Sequence, residues 1–151
     1  MKFRVLISLL TLCVLSLCGA PSATAQQKKT TRELAKPGDK VWVIVNPVKA
    51  DKRVQFEHFV SDIFWPTFAK LGPEEQHVFR QTRVLNAVRP EADGTYAYLF
   101  IMDPVIPGAS YDIEAVLKKA YGPEKGAEHY KLYTESLAGA QKTYSVLETK
   151  N

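Results

Sequence analysis

Two short apolar runs constrain the fold of this chain more than any other feature of its sequence. The first, KVWVIVNP, is apolar over residues 41–45, and the second, TYAYLFIMD, is apolar over residues 96–102. Both are rich in β-branched and aromatic residues and end at turn residues, which is typical of β-strands. Both carry apolar side chains at odd and even positions, so each strand is predicted to need cover on both faces of a sheet.

The segments around these two strands predict the rest of the secondary structure. Residues 50–72 carry apolar side chains at helical spacing, among them Phe56 and Val60, and predict a helix that ends at Gly72-Pro73. The run HVFRQTRVLNAV predicts a second strand over residues 77–88, in which His77 is the first residue.

The C-terminal part of the chain predicts helices followed by a last strand. Residues 111–122 and 123–139 form a helical region in two pieces, with Asp112 as N-cap and Pro123 in the first turn. Residues 141–150 predict the fourth strand. The order β-α-β-β-α-β predicts an α+β, ferredoxin-like fold, with a four-stranded antiparallel sheet and helices on one face.

This fold leaves one face of the sheet without cover. Four or five large side chains left in water would forgo about 1.5–3 kcal/mol each. A second copy packed face to face would cover them, so a homodimer with an isologous interface is predicted. The alternative is that the N-terminal leader or a long loop of the same chain folds over this face.

The N-terminus has the three-part layout of a secretory signal peptide. Lys2 and Arg4 precede an apolar run over residues 5–17, and Ala23-Thr24-Ala25 is a small-x-small cleavage site. The run falls short of the roughly 20 residues that span a bilayer, which argues against a retained membrane anchor. We therefore predict a signal peptide (1–25), a polar linker (26–39) and one domain (40–150), and an exported protein, periplasmic or secreted. Lipidation at Cys18 is the second processing route, but Leu17 stands where a lipobox has a small residue.

Cleavage after Ala25 would remove both cysteines, Cys13 and Cys18, and leave 126 of the 151 residues. Such a protein has no disulfide, no thiolate metal site and no cysteine nucleophile. The loss of Lys2 and Arg4 lowers the formal charge from +4 to +2, since all 16 acidic residues remain. A nearly neutral domain lacks the positive field that nucleic-acid binding requires, and no nucleic-acid partner is predicted.

In element order, in the opening strand VWVIVNP and in the strand YAYLFIMD, residues 40–148 resemble the dimeric α+β-barrel superfamily. That superfamily includes antibiotic-biosynthesis-type monooxygenases and haem-degrading monooxygenases. The resemblance implies a dimeric barrel and, within each protomer, a cavity between the sheet and the helices. It does not by itself imply a function, because one fold serves many activities.

His129 is the residue on which a catalytic reading depends. In the last helix it shares an apolar arc with Tyr130 and Tyr133, so it is predicted to face the sheet rather than solvent. It is then either a hydrogen-bonded core residue or a pocket residue that transfers a proton near neutral pH. Asn46 would contribute its amide to the same cavity, or serve only as a turn residue before Pro47.

Three hypotheses follow for the function. The first is a binding protein whose aromatic cavity accepts a small apolar or aromatic molecule. Its lining would comprise Trp42, Tyr98, Tyr130, Tyr133 and His129, and Trp65 would cap it if Pro66 turns that ring inward. The second is an enzyme, a cofactor-independent oxygenase or isomerase of the kind that the resemblance implies. There His129 is the general base, and Asn46 or a tyrosine hydroxyl stabilises an oxyanion.

A haem-dependent form of this enzyme is implied only by the resemblance. Haem degraders of the superfamily pair an asparagine of the first strand with a helical histidine and a tryptophan, and Asn46 and His129 match by element. The third strand of this chain contains no tryptophan. The third hypothesis is a structural protein whose cavity is filled by its own side chains.

The remaining histidines predict no metal site. His58 and Asp62 lie four residues apart on the helix and are expected to pair at the surface. Three histidines without close spacing do not form a zinc or iron motif, so no metal is predicted.

Overall fold

The structure, a computed structural model, describes residues 32–150 of the chain. The predicted signal peptide (1–25), with Cys13 and Cys18, lies outside these residues. The strands are β1 (Lys40–Val48), β2 (Thr82–Leu85), β3 (Tyr96–Met102) and β4 (Lys142–Leu147). The helices are α1 (residues 50–70), α2 (Pro73–Gln81), α3 (Ile113–Tyr121) and α4 (Pro123–Ser136).

The four strands form one antiparallel sheet in the order β2-β3-β1-β4. The predicted ferredoxin-like arrangement is therefore confirmed, with β1 and β3 in the centre and β2 and β4 at the edges. Asp112 caps α3 as predicted, since its carboxylate accepts a hydrogen bond from the backbone N–H of Ala115 at 3.1 Å. Pro123 is the first residue of α4, where its missing N–H has no cost.

β1 continues past the predicted stop at Asn46-Pro47 and ends at Val48. The pairing of β1 with β4 ends at Val45, whereas its pairing with β3 extends to Val48. The carbonyl of Pro47 points to the β4 side, where it accepts a hydrogen bond from the N–H of Ala138. Proline is tolerated here because its nitrogen faces the side on which the ladder has already ended.

α1 continues through Pro66 and contains a π-helical stretch before it. Its pieces are Ala50–Lys52, Arg53–His58, a π-helical stretch Phe59–Phe64, Trp65–Thr67 and Phe68–Lys70. The inward turn of Trp65 that was considered in the sequence would need Pro66 to break the helix, but Trp65 keeps helical angles, with φ −65° and ψ −41°. Its N–H donates to the carbonyl of Val60, five residues back, so the π-helical turn accommodates the proline without a break.

The second predicted strand is wrong over its first half. Residues 77–81 belong to α2, and His77 lies inside this helix; β2 contains only four residues. Pro73 at the first position and Glu74 and Glu75 in the first turn favour a helix start. These signals, together with the burial of Phe79, outweigh the β-branched residues that suggested a strand.

The helices cover one face of the sheet and form the core with it, as predicted. All the apolar positions that predict α1 are buried or nearly so: Phe56, Phe59, Val60, Ile63, Phe64 and Leu71. From the sheet, Val48 of β1 and Tyr98, Phe100 and Met102 of β3 join this core. The alternate residues of both central strands therefore point to the opposite face.

That opposite face, called here the outer face, is only partly covered by the described residues. Val43, Val45 and Leu99 are half-buried, while Tyr144 is 53% and Val146 46% exposed. The loop between β2 and β3, residues 86–95, stands beside this face and forms a groove with it. In the segment before β1, the N–H of Ala35 donates a hydrogen bond to the carboxylate of Asp103 at 2.9 Å. This bond attaches the segment to the residue that follows β3.

Within residues 32–150, none of the helices combines the length and apolar character that a membrane span requires.

Candidate functional site

Asn46 lies in the core, but its amide is fully engaged in hydrogen bonds. Its side chain is 0% exposed. Nδ2 donates to the carbonyls of Tyr98, at 3.2 Å, and Ile44, at 3.4 Å. Oδ1 accepts from the hydroxyl of Tyr133, at 2.7 Å, and from Nε2 of Gln141, at 2.6 Å. An asparagine amide offers two hydrogens and two lone pairs, so this geometry leaves no donor with which Asn46 would stabilise an oxyanion.

Tyr133 is the helix partner of Asn46. It is 2% exposed, and burial raises the pKa of its hydroxyl far above the usual range. Besides donating to Asn46, the hydroxyl accepts a hydrogen bond from Nε2 of Gln141 at 2.6 Å. Gln141, which sequence reasoning missed, thus joins β4 to this buried pair from the surface. A network in which every buried polar group is paired stabilises and specifies a core.

Tyr98 packs its ring inside the core and holds its hydroxyl at the edge of the core. The ring centroid lies 4.7 Å from that of Phe56. The hydroxyl donates to the carboxylate of Glu57 and accepts from Nε of Arg53, at 3.1 Å. Desolvation, followed by the hydrogen bond to Glu57, raises the pKa of Tyr98. Arg53 also lies 4.0 Å from the ring centroid of Tyr96. The i, i+4 spacing of Arg53 and Glu57 was the available signal for this cluster.

His129 does not face the sheet, contrary to the prediction. It is half-buried and its ring packs edge-on against Tyr121 of α3, with centroids 4.7 Å apart. Burial, and to a lesser degree the charge of Lys125, lowers the pKa of His129 below its ordinary value. The buried positions of α4 are instead Gly126, Tyr133 and Ser136. The apolar arc of α4 is wide because this helix packs against α3 as well as the sheet.

Both tryptophans, Trp42 and Trp65, are half-buried. The ring of Trp42 lies 5.2 Å from that of Tyr111, and its Nε1 donates to the hydroxyl of Ser145 at 3.2 Å. Trp65 packs against Phe64 at 5.0 Å and Phe79 at 6.3 Å. Tyr130, the last predicted lining residue, is half-buried with its ring 6.0 Å from Tyr133.

The structure therefore brings Asn46, Tyr98 and Tyr133 together but does not place His129 with them. The space that these residues were predicted to line is occupied by phenylalanine rings. Phe56 contacts both Tyr98 and Tyr133, and Phe59 lies 5.1 Å from Tyr133. The strong aromatic periodicity of α1, read in sequence as one side of a cavity, fills that space instead.

A small apolar cavity does lie between the sheet and the helices, under α2 and α3. Its volume is about 30 Å³, room for about one water molecule. Ten residues line it: Phe64, Val78, Phe79, Thr82, Phe100, Met102, Ser110, Tyr111, Ile113 and Val116. Both tryptophans pack against its walls, Trp42 through Tyr111 and Trp65 through Phe64 and Phe79.

An open groove of about 500 Å³ lies beside this cavity on the protein surface. Val78, Ser110 and Val116 line both spaces. One wall of the groove is polar, with Glu74, Glu75, His77 and Lys119, and the other is the loop over residues 106–110. The ammonium of Lys119 donates to the carboxylate of Glu75, and this bond lowers the pKa of Glu75.

A wider groove lies on the outer face. It has a volume of about 810 Å³ and is formed by the 86–95 loop, β1, β3 and β4. Val45, Leu99 and Tyr144 form its apolar floor, and Arg89 and Lys142 contribute charge at the rim.

Comparison with known proteins finds a similarity at the level of structure. No protein-family model matches the chain, and no curated protein does. A crystal structure from Caulobacter crescentus CB15, of a protein named as a candidate antibiotic biosynthesis monooxygenase, matches with 16% sequence identity. The match covers 76% of this chain and 92% of that one, with a TM-score of 0.40. A similarity of this size carries no information on activity.

His58 and Asp62 form the predicted surface pair. Nδ1 of His58 lies 2.6 Å from the carboxylate of Asp62, and the side chains are 55% and 60% exposed. This hydrogen bond lowers the pKa of Asp62. Among residues 32–150 there is no cluster of three or more histidine, cysteine or acidic residues of the kind that holds a metal.

Proposed function

We propose that this protein is an exported homodimer that binds a small apolar or aromatic molecule under α2 and α3. The observation that supports this site is that Val78, Ser110 and Val116 line both the apolar cavity and the surface groove. In this proposal the three residues form a doorway between the two spaces. A groove of about 500 Å³ lies in the size range of small-molecule sites, roughly 300–1,000 Å³. Phenylalanine and methionine walls suit a ring or chain that contributes no hydrogen bonds.

In this proposal the body of the ligand lies in the groove and its apolar end enters the cavity. The cavity is too small for an aromatic ring unless a wall moves. Met102, with its flexible thioether, and Tyr111, beside the 106–110 loop, are the walls most able to do so. The N–H of Ile106 donates to the Tyr111 hydroxyl at 2.7 Å, so the ring and the loop would move together.

Intrinsic fluorescence gives a direct test, because both tryptophans pack against the cavity walls. Titration of the secreted protein with a panel of small aromatic acids and with haemin is expected to change the emission saturably for at least one compound. Val116→Phe would block the doorway and abolish the change. The matched control is Val54→Phe, since Val54 is 80% exposed on α1 and the added ring would meet solvent.

The possible outcomes separate the hypotheses. A Soret shift with haemin that disappears in His129→Ala would favour the haem reading. Binding that Val116→Phe leaves intact would contradict the location proposed here. If the whole panel fails to bind and the protein melts at an unusually high temperature, the interior serves only as a filled core.

The homodimer is proposed from the outer face, where Tyr144 and Val146 of β4 are about half exposed. A protein recovered from the periplasm or medium should sediment as a dimer at micromolar concentration. Its mass should show an N-terminus at Gln26. A monomer would contradict the homodimer, and a retained N-terminus or a lipid on Cys18 would contradict cleavage after Ala25.

A further inference from the structure

The outer face of the sheet is small for a stable dimer interface. Its four strands average about six residues. At about 3.3 Å per residue and about 4.8 Å between strands, such a sheet presents about 400 Å². A stable protein–protein interface buries about 800 Å² on each partner. If the homodimer proposed above forms through this face, a further part of the chain must take part.

The 86–95 loop has the features of that further part. Val88, within this loop, is 96% exposed, and Leu85 at the end of β2 is 42% exposed. Both side chains line the 810 Å³ groove, so they extend the exposed apolar surface of the outer face. The loop borders the outer face and forms a wall of the 810 Å³ groove, so it projects on the side where a second copy would sit.

The loop is held in shape by its own hydrogen bonds. The N–H of Glu91 donates to the carbonyl of Thr95 at 2.7 Å, and the N–H of Thr95 donates to the carboxylate of Asp93 at 2.9 Å. Ala87 packs against the hydrophobic core and anchors the base of the loop. A segment that is already ordered loses little conformational entropy when it binds.

We propose that the 86–95 loop is an arm that packs across the outer face of a second copy of this chain, with Val88 against Tyr144 and Val146 of that copy. The proposal rests on the homodimer of the proposed function. An isologous interface requires both the projecting and the receiving surface on the same molecule. This chain carries both surfaces. The groove between the loop and β4 also contains charges of both signs, with Arg89 and Lys142 as the cations and Glu91 and Asp93 as the anions.

The full-length gene is expressed, and the secreted protein is analysed by analytical ultracentrifugation. The test compares the same change, valine to aspartate, at two positions. Val88→Asp places a charge in the proposed interface and is expected to raise the dimer Kd at least about tenfold. Val54→Asp changes another highly exposed valine, 80% exposed on α1, and should leave the Kd unchanged. Val88→Ser, which removes the apolar side chain without adding charge, should weaken the dimer in the same direction.

Circular dichroism below the Kd verifies that each variant keeps the fold. A wild-type dimer that Val88→Asp weakens no more than Val54→Asp would overturn the arm while the homodimer stands. A wild-type protein that is monomeric at micromolar concentration would overturn the homodimer itself, and the arm with it.

Discussion

Phe56→Ala is expected to lower the free energy of unfolding by about 3–5 kcal/mol, the range for removing a buried phenylalanine. Phe56 is 0% exposed and lies at the centre of the core. Its ring is 4.7 Å from Tyr98, 5.9 Å from Tyr133 and 6.3 Å from Phe100. Rings from two other elements, β3 and α4, surround it, so they cannot all move to fill the space that alanine would leave.

Urea denaturation followed by circular dichroism measures this effect. Val54→Ala, two residues earlier on the same helix and 80% exposed, is the control and should change stability by less than about 0.5 kcal/mol. Equal effects of the two substitutions would show that α1 does not pack on the sheet through the face described here. A small effect of Phe56→Ala alone would mean that the space between sheet and helices tolerates a cavity.

Gly126→Ala is expected to destabilise the protein even though alanine is the better helix former. A methyl group at this position of α4 would lie 2.5 Å from Cα and N of Lys118 and 2.8 Å from the carbonyl carbon of Leu117. These are backbone atoms of α3, so the two helices would have to separate. Helix propensity would contribute about 1 kcal/mol in favour of alanine. Overpacking of about 1–3 kcal/mol or more opposes it, and backbone contacts this short place the cost at the upper end.

Gly139→Ala is the matched control for this experiment. Among the residues that the structure describes, an added methyl at Gly139 would meet no heavy atom within 4 Å. The substitution should leave the melting temperature unchanged or raise it slightly, because alanine restricts the unfolded chain. If thermal unfolding shows that Gly126→Ala is as stable as Gly139→Ala, α3 and α4 are not in the close contact described here.

Much of the fold follows from local pattern. The apolar stripe of α1, the strands β1, β3 and β4, the cap at Asp112 and the order of the sheet are all as predicted. α2 was mistaken for a strand because Val78, Phe79 and Val84 suggested a β-run. Pro73, Glu74 and Glu75 favour a helix start, and these signals outweigh the β-run.

The sequence predicted the candidate site much less well than it predicted the fold. Helical phase placed His129 correctly on the apolar side of α4, but phase cannot distinguish a neighbouring helix from the sheet. Asn46 was predicted either to contribute its amide to the cavity or to serve as a turn residue before Pro47, and the structure places it inside β1 with its side chain buried. Whether its amide is free depends on Tyr133 and Gln141, which lie 87 and 95 residues away in the chain. No pattern in the sequence indicated that Val78, Ser110 and Val116 would line both the cavity and the groove.

The sequence by itself determined which side chains share a face of β1, β3 and α1, because alternation and helical phase are properties of the local backbone. It also determined the topology, since the order of the elements allows few arrangements of a four-stranded sheet. Only the tertiary structure decided that the aromatic rings of α1 fill the predicted cavity and that a smaller one opens under α2 and α3. The space left between two elements depends on the combined volume of side chains from distant parts of the chain. A local sequence pattern carries no information on that combined volume.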